Sequence, residues 1–297
     1  MNDPSSNLYD RLGLIHLTDR YLAALVANDP SAVPLAQSLR SVENLRRIKP
    51  GDGLWSTASG RPGSFAIYVP DPQRQTAGFI GMLEADGAPA LLGLRLATRD
   101  GQIVEAEHLF ASGLTEALLP NLQVPRPGLL AEIASGQRLP AEELRAIGAT
   151  YYDALVANDS SLCPLATDCE RRENGRITAG PSTSAPPPGS SFPMVAGGCA
   201  AQLDSKVFTY IADIDNRRVF AADPVTGLVM GLSMFRHPMD NTPYEIILAD
   251  GTTTMLAPAF DPFDLPAAHI FKIGPDRHIH EIEAMGFIAP YGSPAGW

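Results

Sequence analysis

Four side chains in the last third of this 297-residue chain have the types that proton transfer needs: Tyr210, Arg236, His237 and His269. In a strand, alternation puts His269, Phe271 and Ile273 on one face and Ile270 and Lys272 on the other. An imidazole among aromatic and aliphatic neighbours has a pKa that burial can hold near neutrality, as a general base requires. Its bland reading is a hydrogen-bonded core histidine. Tyr210, in Val207-Phe-Thr-Tyr-Ile211, can donate a proton to a leaving hydroxyl or a developing enolate; otherwise it is an amphipathic core tyrosine. Arg236 and His237 close a strand, where an arginine can clamp a carboxylate or stabilise an oxyanion and the histidine can act as a second base. The rival there is a surface salt bridge.

Around these four, Asn174, Asp215, Phe271, Met234 and Tyr152 are the expected substrate contacts. Two have competing structural readings. Asp215-Asn216-Arg217-Arg218 also suits a turn with a surface ion pair. Glu173-Asn174 occurs again as Glu43-Asn44, which favours a framework role. No metal site is expected, although His278-x-His280 with Glu281 and Glu283 invites one. His278 sits at a turn, and His280 falls on the opposite strand face from the two glutamates. No cofactor is expected either, since the chain lacks a Gly-rich phosphate loop after a strand, a nucleophile elbow and an HExxH helix.

Composition narrows the partners. With 45% hydrophobic and 19% charged residues, the chain has apolar mass for two ordinary cores. A net charge of −11 argues against nucleic acid or an anionic membrane surface. A small hydrophobic or aromatic substrate remains, with a homodimer as an open arrangement. The opening Met-Asn-Asp-Pro-Ser-Ser has no basic and apolar leader pattern, so a cytoplasmic location is expected. Three cysteines, Cys163, Cys169 and Cys199, fit no zinc spacing. They are expected as reduced thiols, with a Cys163–Cys169 bridge as the alternative.

The elements that must position these groups come in two copies. Tyr21, Ala24 to Asp29, Ser31, Pro34-Leu35-Ala36 and Glu43-Asn44 recur, shifted by 130 residues, as Tyr151, Ala154 to Asp159, Ser161, Pro164-Leu165-Ala166 and Glu173-Asn174. Each copy has the size of a small domain. Residues 1–120 are expected as a mainly structural domain and 121–297 as the one with the active site. Histidines support that division, because only His16 and His108 precede residue 237. At the place of His269 the first copy offers Gly93 or Leu92.

Leu8, Leu12, Ile15, Leu22 and Leu25 give a helix over 7–28, stopped by Asn28-Asp29-Pro30. Its counterpart starts at Pro140 and ends near Asn158. A Pro-Leu-Ala loop and the Glu-Asn pair then lead into strands at 64–69, 77–84, 90–97 and 103–110, and at 206–213, 217–222, 228–235, 245–248, 269–273 and 279–285. Between the copies runs a linker with a short helix near 129–135. The Pro-rich stretch 179–198 is a candidate cover or an inert loop, and 257–266 interrupts the sheet. Helices followed by a mainly antiparallel meander give an α+β fold. The terminal segment with Phe287, Tyr291 and Trp297 is expected to pack on its own domain.

The Tyr-x-x-Ala-Leu-x-Ala-Asn-Asp helix, the Glu-Asn pair and the hairpin His269-Ile-Phe-Lys-Ile with His278-Ile-His-Glu-Ile-Glu283 resemble the nuclear transport factor two-like superfamily, nearest its SnoaL-like (polyketide-cyclase-like) branch. Ile103-Val-Glu-Ala-Glu107 echoes the hairpin. The resemblance implies two tandem cone-shaped α+β barrels, with N-terminal helices packed on curved sheets. It spans dehydratases, isomerases, cyclases, lyases and binding modules, so function rests on the pocket. The expectation is a cofactor-independent lyase, acting by dehydration or retro-aldol cleavage on a small hydroxylated, aromatic substrate. In it His269 is the base, Tyr210 the acid and Arg236 the electrostatic stabiliser. An isomerase or cyclase with the same groups, and a noncatalytic ligand-binding protein, are the alternatives.

Overall fold

A computed structural model describes residues 8–61, 63–181, 195 and 197–297. Most of the Pro-rich stretch, 182–194 and 196, lies outside the described residues. The first half opens with helix α1 (Arg11–Val26), capped by Asp10, whose carboxylate accepts from the Gly13 amide. Its buried face is Leu14, Leu17, Tyr21, Leu22 and Leu25, whereas Leu8 and Leu12 stand exposed. Of the expected apolar stripe, Leu22 and Leu25 lie in the core, whereas its first two members, Leu8 and Leu12, do not. What the repeated Ala-Leu-Val-Ala-Asn-Asp encodes is a helix stop. Asn28 and Asn158 take left-handed backbone, and Asp29 and Asp159 then accept from the Ser31 and Ser161 amides.

Strands β1 (Leu35–Glu43) and β2 (Arg46–Arg47) follow, then helix α2 (Leu54–Thr57) and strands β3 (Ala58–Gly60), β4 (Ala66–Asp71), β5 (Thr76–Ala85), β6 (Ala88–Arg99) and β7 (Gln102–Ala111). The second half repeats the plan after a linker containing α3 (Pro127–Leu130). Helix α4 (Ala141–Ala157) is followed by β8 (Leu165–Glu173), β9 (Arg176–Ala179), α5 (Cys199–Asp204), β10 (Asp213–Asp223) and β11 (Leu228–His237). A hairpin of β12 (Tyr244–Ile247) and β13 (Thr253–Leu256) precedes β14 (Phe263–Ile273), β15 (Ile279–Gly286) and β16 (Ala289–Pro290). The sheets run β2-β1-β7-β6-β5-β3 with β4 on β5, and β10-β11-β14-β15-β8-β9 with β16 on β14. Each has one parallel pair, β1 with β7 and β8 with β15, in an otherwise antiparallel order. The fold is the expected pair of tandem α+β barrels, each with its N-terminal helix on a curved sheet.

Several expectations need correction. The Pro-Leu-Ala motif opens a strand instead of closing a loop, because Leu35 and Leu165 start β1 and β8. The Glu-Asn pair closes that strand. Residues 205–210 form turns, with Lys206 at a φ of 62°, so Tyr210 is not on a strand.

The two sheets pack back to back. Ile67, Val69, Ile80, Met82 and Leu91 of the first half share one buried cluster with Leu228, Met230, Leu232, Ala268 and Ile270 of the second. Reciprocal ion pairs reinforce this pseudo-twofold contact. Arg11 of α1 reaches Asp223 on β10 at 2.8 Å, and Arg145 of α4 reaches Asp71 on β4. Both aspartates are about 1% exposed, so each carboxylate depends on its arginine across the interface. Trp297 also bridges the halves. Arg40 and Arg95 of the first half and Arg218 of the second stand 4.4, 5.5 and 5.4 Å from its ring, which corrects the expectation that the tail packs on its own domain.

The thiol expectation is overturned as well. Cys169 on β8 is bonded to Cys199 at the start of α5, and Cys163 is free and buried. Spacing in the sequence cannot fix such pairing, which is set by where strand and helix meet. Closing a loop of 30 residues is worth about 3.5 kcal/mol. Reduction is expected to lower unfolding stability by that amount, read as a downward shift in the urea midpoint with dithiothreitol. An unchanged midpoint would show that the bridge carries no stability.

Candidate functional site

Between α4 and the inner face of the second sheet lies a cavity of about 140 Å³, lined by groups from α4, β8, β11, β14, β15 and the 208–211 turn. Its polar walls are Tyr151, Arg171, Glu173, Asn174, Tyr210, His237 and His269. Leu155, Phe208, Phe235, Leu265 and Ala267 are among the apolar ones.

His269, on the central strand β14, is 5% exposed, and its Nδ1 has no hydrogen-bond partner. Phe271 stacks in parallel beside it at 5.8 Å, and Tyr151 and Tyr152 approach at 5.7 and 5.5 Å. Gly231 faces His269 across the ladder, and a Cβ there would lie 2.6 Å from the Tyr152 hydroxyl. The missing side chain is what lets Tyr152 pass over the strand to meet the imidazole. Burial, and then the Arg171 charge, push the His269 pKa down to about 3. That corrects the expectation of a value near neutrality, because no carboxylate offsets the lost hydration.

His237, the last residue of β11, is a second imidazole of the same kind. It is 3% exposed, stacks on Phe263 at 4.0 Å and Tyr210 at 5.3 Å, and leaves Nδ1 unpartnered. Burial lowers its pKa to about 4. Burial raises the pKa of the Tyr210 and Tyr151 phenols, so both stay protonated donors at neutral pH.

Arg171 is the group that the sequence reading missed. It is buried on β8, with Nε donating to Thr178 Oγ1 at 2.9 Å, Nη1 to the Tyr151 hydroxyl at 3.2 Å and Nη2 to Gln202 Oε1 at 2.7 Å. Glu173 lies 2.8 Å from Nε, and the Phe208 ring lies 5.0 Å from the guanidinium. The available signal was divergence inside the repeat, since the shift that equates Glu43 with Glu173 equates Ser41 with Arg171.

The remaining candidates divide by strand face. On β11, Phe235 and His237 look into the cavity, and Met234 and Arg236 lie on the other side. Arg236 is held by Asp215 at 2.9 Å, Asp264 at 2.6 Å and the Ser293 carbonyl at 2.9 Å. Arg236 and Asp215 therefore form an ion-pair network outside the cavity, and Met234 lines a small crevice where the halves meet. Phe271 and Tyr152 contact His269 from behind and do not line the cavity. Asn174 lines it, but its amide clamps Gly286, donating to the carbonyl at 2.9 Å and accepting from the amide at 3.1 Å. Asn44 does the same to Phe110, at 2.9 and 2.8 Å. The shared Asn is a framework clamp. Glu281 and Glu283 sit with Arg126, His280 pairs with Asp168 and Asp276, and the described residues contain no cluster of three or more metal-ligating groups.

The first cone is built on the same ladder and filled differently. Glu43 faces His108 as Glu173 faces Ala284, and Leu94 faces His108 as His269 faces Ala284. Leu94, not Gly93 or Leu92, is therefore the counterpart of His269. His108 Nε2 lies 2.9 Å from the Tyr21 hydroxyl, and its Nδ1 lies 3.0 Å from Glu43. Trp55 from α2 packs edge-on to Tyr21 at 5.2 Å and is 1% exposed.

Comparison with known proteins adds a family and little more. Residues 137–286 match the family model of DUF8021, a domain of unknown function. No curated protein matches. A provisionally named polyketide cyclase from Silicibacter sp. TM1040 is similar in structure, with 15% identity over 50% of this chain and 92% of that one and a TM-score of 0.31. Among the described residues, no helix is long and apolar enough to cross a membrane.

Proposed function

The chain belongs to the DUF8021 family, and from that premise we propose that its second half is a cofactor-independent acid/base enzyme for a small hydroxylated ring substrate, with elimination as its reaction. The observation that supports this most is the pairing of two buried neutral imidazoles, each with a free Nδ1, with a buried guanidinium in one cavity. An unpartnered buried polar atom costs stability unless a ligand meets it. Apolar walls around a few convergent polar groups are the usual form of a small-molecule site.

In this reading His269 removes the proton next to a substrate carbonyl. Arg171 and the Tyr151 hydroxyl hold the resulting oxyanion, and Tyr210 protonates the departing hydroxyl, which leaves as water. The low pKa of His269 does not oppose this role. The depression comes first from burial and then from the Arg171 charge, and an oxyanion forming between Arg171 and the imidazole offsets that charge. Arg171 takes the electrostatic part expected of Arg236. Retro-aldol cleavage uses the same groups with carbon as the leaving atom, and isomerisation returns the proton elsewhere. The first half, with its cone occupied by Trp55, serves as the buttress.

A noncatalytic binding role is the second reading, favoured by the same weakly basic imidazole. His269→Asn separates the two when a panel of hydroxylated ring ketones is followed by mass spectrometry for loss of water. About a hundredfold loss of turnover with affinity within threefold supports the base. Unchanged turnover removes His269 from the chemistry, and a panel that binds without turning over leaves the binding role.

A further inference from the structure

The first cone carries information about what the second one takes. Trp55 shares a buried cluster with Leu25, Leu83, Ala85 and Leu92. The repeat shift and the strand ladders equate these with Leu155, Phe235, His237 and Ala267, four residues that line the second cavity. The indole also packs on Tyr21, the counterpart of Tyr151. The first half therefore places a fused bicyclic ring in the cluster whose counterparts line the cavity of the second.

In the second half the helix that precedes β10 among the described residues, α5, is tied to β8 and β9. Cys199 is bonded to Cys169, and Gln202 is held by Arg171 at 2.7 Å and donates to the Thr178 carbonyl at 2.6 Å. The polar differences are just as specific. Ser41, Ala85 and Leu94 of the first half become Arg171, His237 and His269 around the cavity.

We propose that the second cone takes a planar fused bicyclic ligand of indole size carrying an oxygen substituent, for which Trp55 is the chain's own template. This rests on the reading of the cavity as a ligand site. The cavity alone sets a lower bound, since its size of about 140 Å³ is close to the ~150 Å³ known to accept a single benzene ring. The template adds the second ring, and the two unpartnered Nδ1 atoms with Arg171 require the oxygen.

Binding of phenol, naphthalene, 2-naphthol and 2-hydroxyanthracene, read by titration calorimetry and by the ring signals of His269 and His237 in NMR, tests it. Burial of apolar area makes affinity rise with every added ring, so a reversal at the third ring is the discriminating result. Expected is 2-naphthol at least tenfold tighter than phenol, than naphthalene and than 2-hydroxyanthracene. Affinity that climbs through three rings, or phenol equal to 2-naphthol, overturns the template and leaves the ligand site standing. If none of the four moves either ring signal, the ligand site falls with it.

Discussion

Acidification from pH 6.5 to 4 is expected to remove several kcal/mol of folding stability, most of it through His237 and His269. Both side chains are neutral in the fold, with pKa values held down to about 4 and about 3 by burial, and both recover an ordinary value near 6.5 when the chain unfolds. The unfolded chain therefore takes up protons first as pH falls. Stability from each histidine is complete above pH 6.5 and is lost as pH drops toward the folded value. At about 1.4 kcal/mol per pKa unit the full losses are about 3 kcal/mol for His237 and about 5 for His269. Glu283 works in the opposite direction. Burial raises its pKa to about 7, so its penalty is complete above pH 7 and is relieved as pH falls toward 4.5. Urea unfolding at half-unit steps of pH checks the balance. His269→Asn is expected to flatten the acid limb, and Glu283→Gln to steepen it; identical limbs in all three proteins would contradict the assignment.

Replacing Arg171 by Met is expected to have the largest effect on function, a loss of about a thousandfold in turnover of any substrate found for the second cone. The variant removes the buried cation that the described residues supply to the cavity and orphans the Tyr151 hydroxyl and Gln202 Oε1. The fold is expected to lose about 2 kcal/mol, at the low end for a broken buried network, because Glu173 is 49% exposed and can hydrate. A second readout separates function from packing. Without the neighbouring charge the His269 pKa must rise from about 3, which its imidazole NMR titration reports. Lys is not an adequate substitute, since the planar fork that meets Thr178, Tyr151 and Gln202 together is lost. A Met variant with full turnover, or with the His269 titration unmoved, would remove Arg171 from the site.

The fold was legible where local chemistry decides it. The repeated Asn-Asp stop, the shared Asn clamp and the strand-like segments placed two α+β halves correctly. Face assignment failed where burial is two-sided. β11 has nine of its ten residues buried, because one face covers the cavity and the other meets the first half's sheet. Alternation therefore says nothing about which of Arg236 and His237 looks inward. His269, which lines the cavity, was legible as a candidate because its type stands out in an apolar strand. Arg171 was hidden by two neighbouring charges, Glu170 and Arg172, which make β8 read as a solvated edge. Tyr210 lines the same cavity as His269, although its segment is turn and not strand. The disulfide lay beyond reach, since it depends on α5 folding back onto β8.

The most direct test is the state of two rings. Long-range ¹H–¹⁵N spectra of the imidazoles at pH 5.5, with and without phenol, distinguish protonated from neutral histidine and report contact with a ligand. Expected are His237 and His269 both neutral at a pH where exposed histidines are charged, and both shifted by phenol through the cavity they share. Charged rings that ignore phenol would mean that the imidazoles face water and that the second cone holds no site.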